Sequence, residues 1–464
     1  MKGTQMAYQS TDPATGRDRG LFPTLNTQDI EAAISAAHEG FLSWRGLPVE
    51  QRSAALARAA DILEEEAGTH ALLATEEMGK LLSEALKEIK LSASILRYYA
   101  TEAVRHLAEE QIMHVQGVSA VVRSEPTGVL LGVMPWNFPY YQVIRFAAPN
   151  LLIGNGILLK HASNCPRTAL AIESVFQRAG VIGGAYTNAF LASSDVASVL
   201  ADPRITGVSL TGSESAGMSV AEAAGRNLKK CVLELGGSDP FLVLDDHNLD
   251  AVVEVAVGAR MANAGQACTA AKRFIIIDGV YESFTEKMVE RMSRYRAGDP
   301  RDPETTLAPL SSAEAVADLT AIVKDAVSKG ATLLLGGGPV DGLPCHMQPT
   351  VLAGVGEGMR AFREELFGPV AVVYRAPDVE AALELANDSD FGLGANVFTR
   401  DPALAERFAV ELEAGMVAVN TRNRTMAELP FGGIKRSGIG RELGRFGLEE
   451  FVNKKLVRIQ TIQS

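Results

Sequence analysis

The sequence predicts an α/β protein with two doubly wound parallel-sheet domains. Two observations carry that prediction. The chain is 464 residues long, several times an ordinary domain of about 100–200 residues. From Val129 onward, short apolar runs alternate with stretches of helical period, and they do so in two successive series. Alternation of that kind is the mark of parallel strands with helices covering the sheet.

The elements follow in order. Leu56, Ala59, Ala60 and Leu63 share one helix face, and Leu82, Leu86, Ile89, Ala93 and Leu96 repeat the spacing. Thr27, with Asp29 behind it, reads as a helix N-cap before Ile30. Met113–Arg123 alternates polar and apolar residues as an exposed strand does. Strands are then expected at Val129–Met134, Gly156–Leu159, Ile205–Leu210, Cys231–Leu235 and Phe241–Leu244, with helices at Ala169–Arg178 and Ser215–Lys229 between them. A second series places strands at Phe274–Ile277, Thr332–Leu335, Val370–Tyr374 and Met416–Val419. Its helices are Ala251–Ala262, Tyr281–Tyr295 and Val379–Asn387. The boundary between the two sets falls at Gly236–Gly237. The tail, Phe451–Gln463, reads as a strand that pairs with the Met113–Arg123 segment of this or another subunit. No internal repeat or low-complexity tract interrupts this plan.

Composition excludes several classes of function. With 47% hydrophobic and 22% charged residues the chain is of ordinary globular make-up. The net charge of −12 has the wrong sign for a general nucleic-acid binder. There is no run of eighteen apolar residues to span a membrane. Cys165, Cys231, Cys268 and Cys345 are scattered, so neither a disulfide framework nor a zinc site is expected. Free thiols and an opening MKGTQMAYQS without an apolar core point to the cytoplasm. No metal is expected.

Four motifs bear on chemistry. Cys268 closes G-Q-A-C, although a lone cysteine is more often a small buried hydrophobe. Glu234 opens E-L-G-G at a strand end, where two glycines permit unusual backbone angles; its alternative is a loop acid beside a turn. Asn137 sits in P-W-N-F-P between two prolines that fix its direction, so its amide can donate to an oxyanion; the alternative is an aromatic plug. Leu210–Gly217, L-T-G-S-E-S-A-G, is a strand-to-helix turn whose N–H groups can face a phosphate, although the pattern is weak alone.

Together these motifs resemble the aldehyde dehydrogenase superfamily. PWNFP, LTGSESAG, ELGGSDP, GQAC, EELFGPV (364–370) and PFGGIKRSG (430–438) stand in family order, and Glu234 precedes Cys268 by 34 positions, as in the family. The resemblance covers residues from about 20 to 460. It implies a dinucleotide-binding domain (1–112 and 126–236), a catalytic domain (237–440) and a small β oligomerisation arm (113–125 and 441–464). It further implies that Cys268 is the nucleophile, forming a thiohemiacetal and then a thioester. The Asn137 amide and the Cys268 N–H would hold the oxyanion, and Glu234 would be the base for hydrolysis. Relatives that pass the acyl group to coenzyme A generally lack this base, so a free acid is the expected product. A thiolate needs little activation, and Glu234 needs a raised pKa.

The same resemblance assigns cofactor contacts to Trp136, Lys160, Ser163, Gly212, Ser213, Glu365 and Phe367. Lys160 and Ser163 would meet the adenosine ribose. NAD-preferring relatives commonly carry glutamate where this chain has Ser163, and serine removes the repulsion toward a 2′-phosphate, so NADP is expected over NAD. Among substrates the resemblance is nearest to bacterial succinate-semialdehyde dehydrogenases. Arg145 would grip the substrate carboxylate, with an internal ion pair as its alternative.

Two departures stand out. Ala262 occupies a position where some of these enzymes carry a second arginine, and Arg260 is two residues away. The loop NTRNRTMAELP carries Arg422 and Arg424, either of which can supply a carboxylate contact, with Arg424 the candidate; the alternatives are a loop that admits a different aldehyde and, more commonly for loop arginines, a solvated charge. Ala270 follows Cys268 at two positions, so no vicinal disulfide can protect it. The resemblance also implies a homodimer or homotetramer. The rival readings are a broader aliphatic or aromatic aldehyde dehydrogenase and, in a different class, a cysteine esterase.

Overall fold

The computed structural model describes residues 7–115, 118–246 and 248–460. Two separate sheets carry the architecture. The first has six strands in the order Gly438–Ile439, Lys230–Glu234, Ile205–Thr211, Val129–Val133, Gly156–Lys160, Tyr186–Asn188. All its pairings are parallel except that of Gly438–Ile439, which returns antiparallel against Leu233 and Glu234. The chain starts at the central strand Val129–Val133, winds outward to Tyr186–Asn188, then crosses to the other side. The strand order therefore reverses between Val129–Val133 and Ile205–Thr211, and the crevice beyond the carboxyl ends of such strands is where open α/β sheets take ligands.

Both faces of this sheet are covered, which is why its strands read as unbroken apolar runs. Leu130, Ile157 and Leu159 pack against the N-terminal helices Val49–Glu65, Ala67–Met78 and Leu82–Thr101 and the helix Tyr141–Ile153. Val129, Leu131, Leu158, Val208 and Leu210 face the other way, onto Ile34, Ala37 and Phe41 of the helix Thr27–Arg45. Tyr141–Ile153 is buried along its whole length, as its nearly continuous apolar sequence requires.

The second sheet has seven strands in the order Thr332–Leu335, Thr350–Ala353, Val370–Ala376, Arg273–Ile277, Pro240–Val243, Gly394–Phe398, Met416–Val419. Gly236 and Gly237 lie in the connection that leaves the first sheet at Glu234 and enters the second at Pro240. A three-stranded antiparallel arm, Val452–Gln460, Val118–Pro126 and Glu110–Val115, stands apart from both.

Several elements differ from the sequence reading. Asn26, not Thr27, caps the first long helix: its side chain accepts from the N–H groups of Gln28 and Asp29 at 2.8 and 3.0 Å. Met113–Arg123 is not one strand: Met113–Val115 and Val118–Arg123 belong to two antiparallel ones, and positions 116 and 117 of the expected strand lie outside the described residues. The C-terminal strand pairs with the second of these within the same chain, from Val452 to Gln460, and positions 461–463 of the expected strand lie outside the described residues. Thr332–Leu335 is an antiparallel edge strand with exposed side chains, outside the parallel series. The N-terminal hairpin Ala7–Thr11 with Asp18–Pro23 went unread, as did the strand Gly394–Phe398. No helix among the described residues is long and apolar enough to cross a membrane.

Candidate active site

The motif residues converge at the carboxyl ends of the first sheet, on either side of its reversal point. Pro135, Trp136 and Asn137 follow Val129–Val133; Gly212 and Ser213 follow Ile205–Thr211; Glu234 ends Lys230–Glu234. With Cys268, Glu365 and Phe367 they line a cavity of about 300 Å³, a size suited to part of a small-molecule ligand. Trp136 meets Phe367 edge to face, centroids 5.8 Å apart. A second cavity of about 560 Å³ opens on the other side of Cys268. Among the described residues, Cys268 and Gln142 alone line both.

The turn that carries Cys268 is strained and heavily braced. Asn263 and Ala264 both have left-handed backbones, φ 53° and 52°, and Gly265 follows at 77°. Asn263 Nδ2 donates to the carbonyl of Asn137 at 2.9 Å and to that of Gln266 at 3.1 Å. The buried guanidinium of Arg260 donates to the carbonyls of Gly265 and Ala271 at 2.7 and 3.1 Å, so it points away from the cavity. Asn137 Nδ2 donates to the Gln266 carbonyl at 3.1 Å, which leaves its second N–H uncommitted to that bond.

The two glycines after Glu234 serve close approach rather than unusual backbone angles; neither has a positive φ. A Cβ on Gly236 would stand 2.5 Å from Glu365 Oε2, and one on Gly237 would stand 2.6 Å from the Cys268 carbonyl oxygen. They let the Glu234 strand end, the Cys268 turn and Glu365 lie against one another.

Glu234 is almost fully buried, and neither of its carboxylate oxygens has a hydrogen-bond partner among the described residues. Burial, reinforced by Glu442, drives its pKa well above the ordinary carboxylate value against the pull of Arg145 and Arg441. Cys268 is half-buried, and its thiol is pushed up to about 12 by burial first and then by Glu234 and Glu365, with Arg145 and Lys272 acting in the opposite direction.

Of the residues expected to meet the cofactor, Lys160 ends the strand Gly156–Lys160 with its ammonium 5.8 Å from the ring centre of Tyr8, and burial lowers its pKa. Ser163 is exposed and tied through its carbonyl to the N–H of Gln9 at 2.9 Å. Neither residue lines the cavity around Cys268; both lie against the N-terminal hairpin. Gly212 spends its N–H on the Glu234 carbonyl at 2.9 Å, while Ser213 caps the helix Glu214–Arg226. Glu365 accepts from the Gly237 N–H at 3.1 Å.

The substrate-arginine expectations are corrected. Arg145 is completely buried, with its guanidinium paired to Glu442, hydrogen-bonded to Tyr141 Oη at 3.0 Å and Thr211 Oγ1 at 3.1 Å, and stacked 4.4 Å from the Phe431 ring centre. It lines neither cavity, so it takes the internal ion-pair alternative. Arg424 is exposed and also outside the cavity. Arg422 is the loop arginine that lines the larger one, donating to the Gly258 carbonyl at 3.1 Å. Burial and the neighbouring charge of Arg424 lower its pKa, and among the described residues it forms no salt bridge. Lys87, Glu84, Tyr141, Tyr295 and Thr425 line the same cavity. Sequence reasoning missed Gln142, Lys87 and Lys272, none of which stands in a recognised motif.

The sequence model of the aldehyde dehydrogenase family matches residues 1–457. A protein of Deinococcus radiodurans named succinate-semialdehyde dehydrogenase [NADP(+)] is 51% identical over 451 residues, covering 97% of this chain and 94% of that one. One of the same name from Mycobacterium avium is 45% identical, covering 99% and 98%. The solved structure of succinic semialdehyde dehydrogenase from Streptococcus pyogenes, in complex with NADP+ as the cofactor, superposes with a TM-score of 0.95 at 42% identity, covering 98% of this chain and all of that one.

Proposed function

This chain belongs to the aldehyde dehydrogenase family, and from that premise we propose that it oxidises succinic semialdehyde to succinate with NADP as the preferred electron acceptor. The observation that carries the proposal is the meeting of two cavities at Cys268. One is walled by Trp136, Phe367, Gly212, Ser213 and Glu365; the other contains Arg422. The first suits a dinucleotide. Its aromatic pair can hold a flat ring, the N-terminus of the helix capped by Ser213 favours an anion, and Glu365 offers a carboxylate to ribose hydroxyls. Lys160, desolvated and without a carboxylate in salt-bridge range among the described residues, suits a 2′-phosphate, and Ser163 presents no charge against one. A nicotinamide dinucleotide supplies the hydride acceptor that turns a cysteine-bound adduct into a thioester.

The chain's own residues do the rest. The Cys268 thiol gives its proton to solvent, and the sulfur adds to the aldehyde carbon. The oxygen that becomes negative sits against the free N–H of Asn137 and the backbone N–H of Cys268, donors fixed before reaction by the Asn263–Gln266 brace. After the thioester forms, Glu234 takes a proton from water, whose oxygen bonds the acyl carbon as the Cys268 sulfur leaves. The products are the free acid and the restored thiol.

Arg422 supports a carboxylated substrate. A half-buried guanidinium with one carbonyl partner gains most from an anion that can meet it in bidentate fashion. The three-stranded arm, with Leu456 and Ile459 exposed, supports association of copies of the chain. The test is steady-state reduction of NADP and NAD with succinic semialdehyde, glutaric semialdehyde, butanal and benzaldehyde. The highest kcat/KM is expected for succinic semialdehyde with NADP. Equal turnover of butanal would leave a general aldehyde dehydrogenase.

A further inference from the structure

Lys272 is fully buried at the start of the strand Arg273–Ile277, four residues after the nucleophile. Its side chain turns back over the cysteine turn. Nζ donates to the carbonyl of Cys268 at 2.9 Å and lies 3.2 and 3.3 Å from those of Ala270 and Ala267. The same ammonium is 3.1 Å from Glu365 Oε1. Its backbone N–H is fixed in turn to the Asp239 carbonyl at 3.0 Å. One buried charge thus closes the turn that presents Cys268 and ties it to the wall of the dinucleotide cavity. Gly237 also packs close to the Cys268 carbonyl, where an added Cβ would stand 2.6 Å from its oxygen.

We propose that Lys272 is a positioning residue for Cys268: its ammonium holds the cysteine turn and Glu365 in one register, so that the thiol and the dinucleotide wall keep a fixed separation. This rests on the aldehyde dehydrogenase reading for the role of Glu365. Its contribution to the nucleophile is both geometric and electrostatic. The charged groups that act on the Cys268 thiol are Glu234 at the end of its strand, Glu365 in the loop before Val370–Ala376, Arg145 on the helix Tyr141–Ile153 and Lys272 itself. Glu442 lies behind Arg145 as its partner. Removing Lys272 takes away a cation that favours the thiolate, so less thiolate forms at any given pH.

The experiment compares wild type with Lys272→Met, Lys272→Gln and Lys272→Arg. Alkylation of Cys268 by iodoacetamide is followed against pH and needs neither aldehyde nor dinucleotide, so its outcome is separate from that of the functional reading. In both neutral variants the alkylation curve should move to higher pH, with rates near pH 8 reduced at least about threefold. In turnover, kcat should fall about 10- to 100-fold and the KM for NADP should rise, while the aldehyde KM stays within about twofold. Lys272→Arg should recover part of both losses. Lys272→Gln keeps donors for the carbonyls and supplies the measurement if Lys272→Met does not fold. Neutral variants with an unshifted alkylation curve and a kcat within about twofold of wild type would overturn the proposal. So would equal losses of kcat with every substrate and cofactor KM unchanged and the curve unmoved, which is what mere loss of folded enzyme gives.

Discussion

The two cavities that meet at Cys268 are built in different ways. The dinucleotide side is made of strand ends and the turns directly after them: Trp136 and Asn137, Gly212 and Ser213, Glu234 to Gly236, with Glu365 and Phe367 from one further loop. Each turn has its own short sequence signature, because a glycine, a proline or a capping serine is needed at a fixed place. The aldehyde side is gathered from Lys87 on an N-terminal helix, Tyr141 and Gln142 on the buried helix, Met261 to Asn263, Tyr295, Thr305 and Thr306, and the loop from Arg422 to Phe431. No backbone geometry is shared among those pieces, so no short motif marks them in the sequence. In the proposed function the first side binds what the reaction always needs, and the second selects what is oxidised.

That contrast can be broken at five points, from the largest expected effect to the smallest. Cys268→Ala should reduce NADP-dependent aldehyde oxidation by at least about 10⁴-fold while NADP binding by protein-fluorescence titration persists. Measurable turnover would place the nucleophile elsewhere. Glu234→Gln should lower kcat by about 10²- to 10⁴-fold. Because the carboxylate of Glu234 must be unprotonated to accept a proton and its pKa is raised, wild-type kcat/KM should climb with pH through a range well above that of an ordinary glutamate. The Gln variant should lose that limb of the pH profile.

Arg422→Ala tests the selective side. It should cost about 10- to 100-fold in kcat/KM for succinic semialdehyde and leave butanal within about threefold, while Arg424→Ala leaves both nearly unchanged. Arg145→Met should leave the ratio between the two aldehydes unaltered in the molecules that fold. It should lower thermal stability instead, since an uncompensated Glu442 left in the interior costs about 3–5 kcal/mol. The smallest effect belongs to Ser163→Glu, which should shift the NADP to NAD preference about tenfold toward NAD, read as the ratio of the two kcat/KM values.

The same contrast explains what was legible in the sequence. Cys268, Glu234 and Asn137 could be read because each stands in a local motif whose backbone demands recur. Gly236 and Gly237 were noticed for the right position but the wrong reason: the need is room for Glu365 and the Cys268 carbonyl, which only the folded chain displays. Arg145 was misread because its partner Glu442 is almost three hundred residues away, and a buried ion pair leaves no local trace. Arg422 and Arg424 were indistinguishable as sequence, two positions apart in an irregular loop, and only packing against Gly258 sends one inward. At the level of fold, the two parallel series were visible from apolar runs covered on both faces. The antiparallel strands Glu110–Val115 and Val118–Pro126 blur into one because the polar and apolar alternation of the sequence does not break between them.

The central claim is that Cys268 carries the acyl group between the two cavities. Its most direct test is mass spectrometry of Glu234→Gln quenched after mixing with succinic semialdehyde and NADP, where deacylation is slowed. The account predicts one succinyl group on the peptide that contains Cys268, appearing only when aldehyde and NADP are both present. A succinyl group on Cys165, Cys231 or Cys345 instead, or steady NADPH formation with no adduct on Cys268, would contradict it.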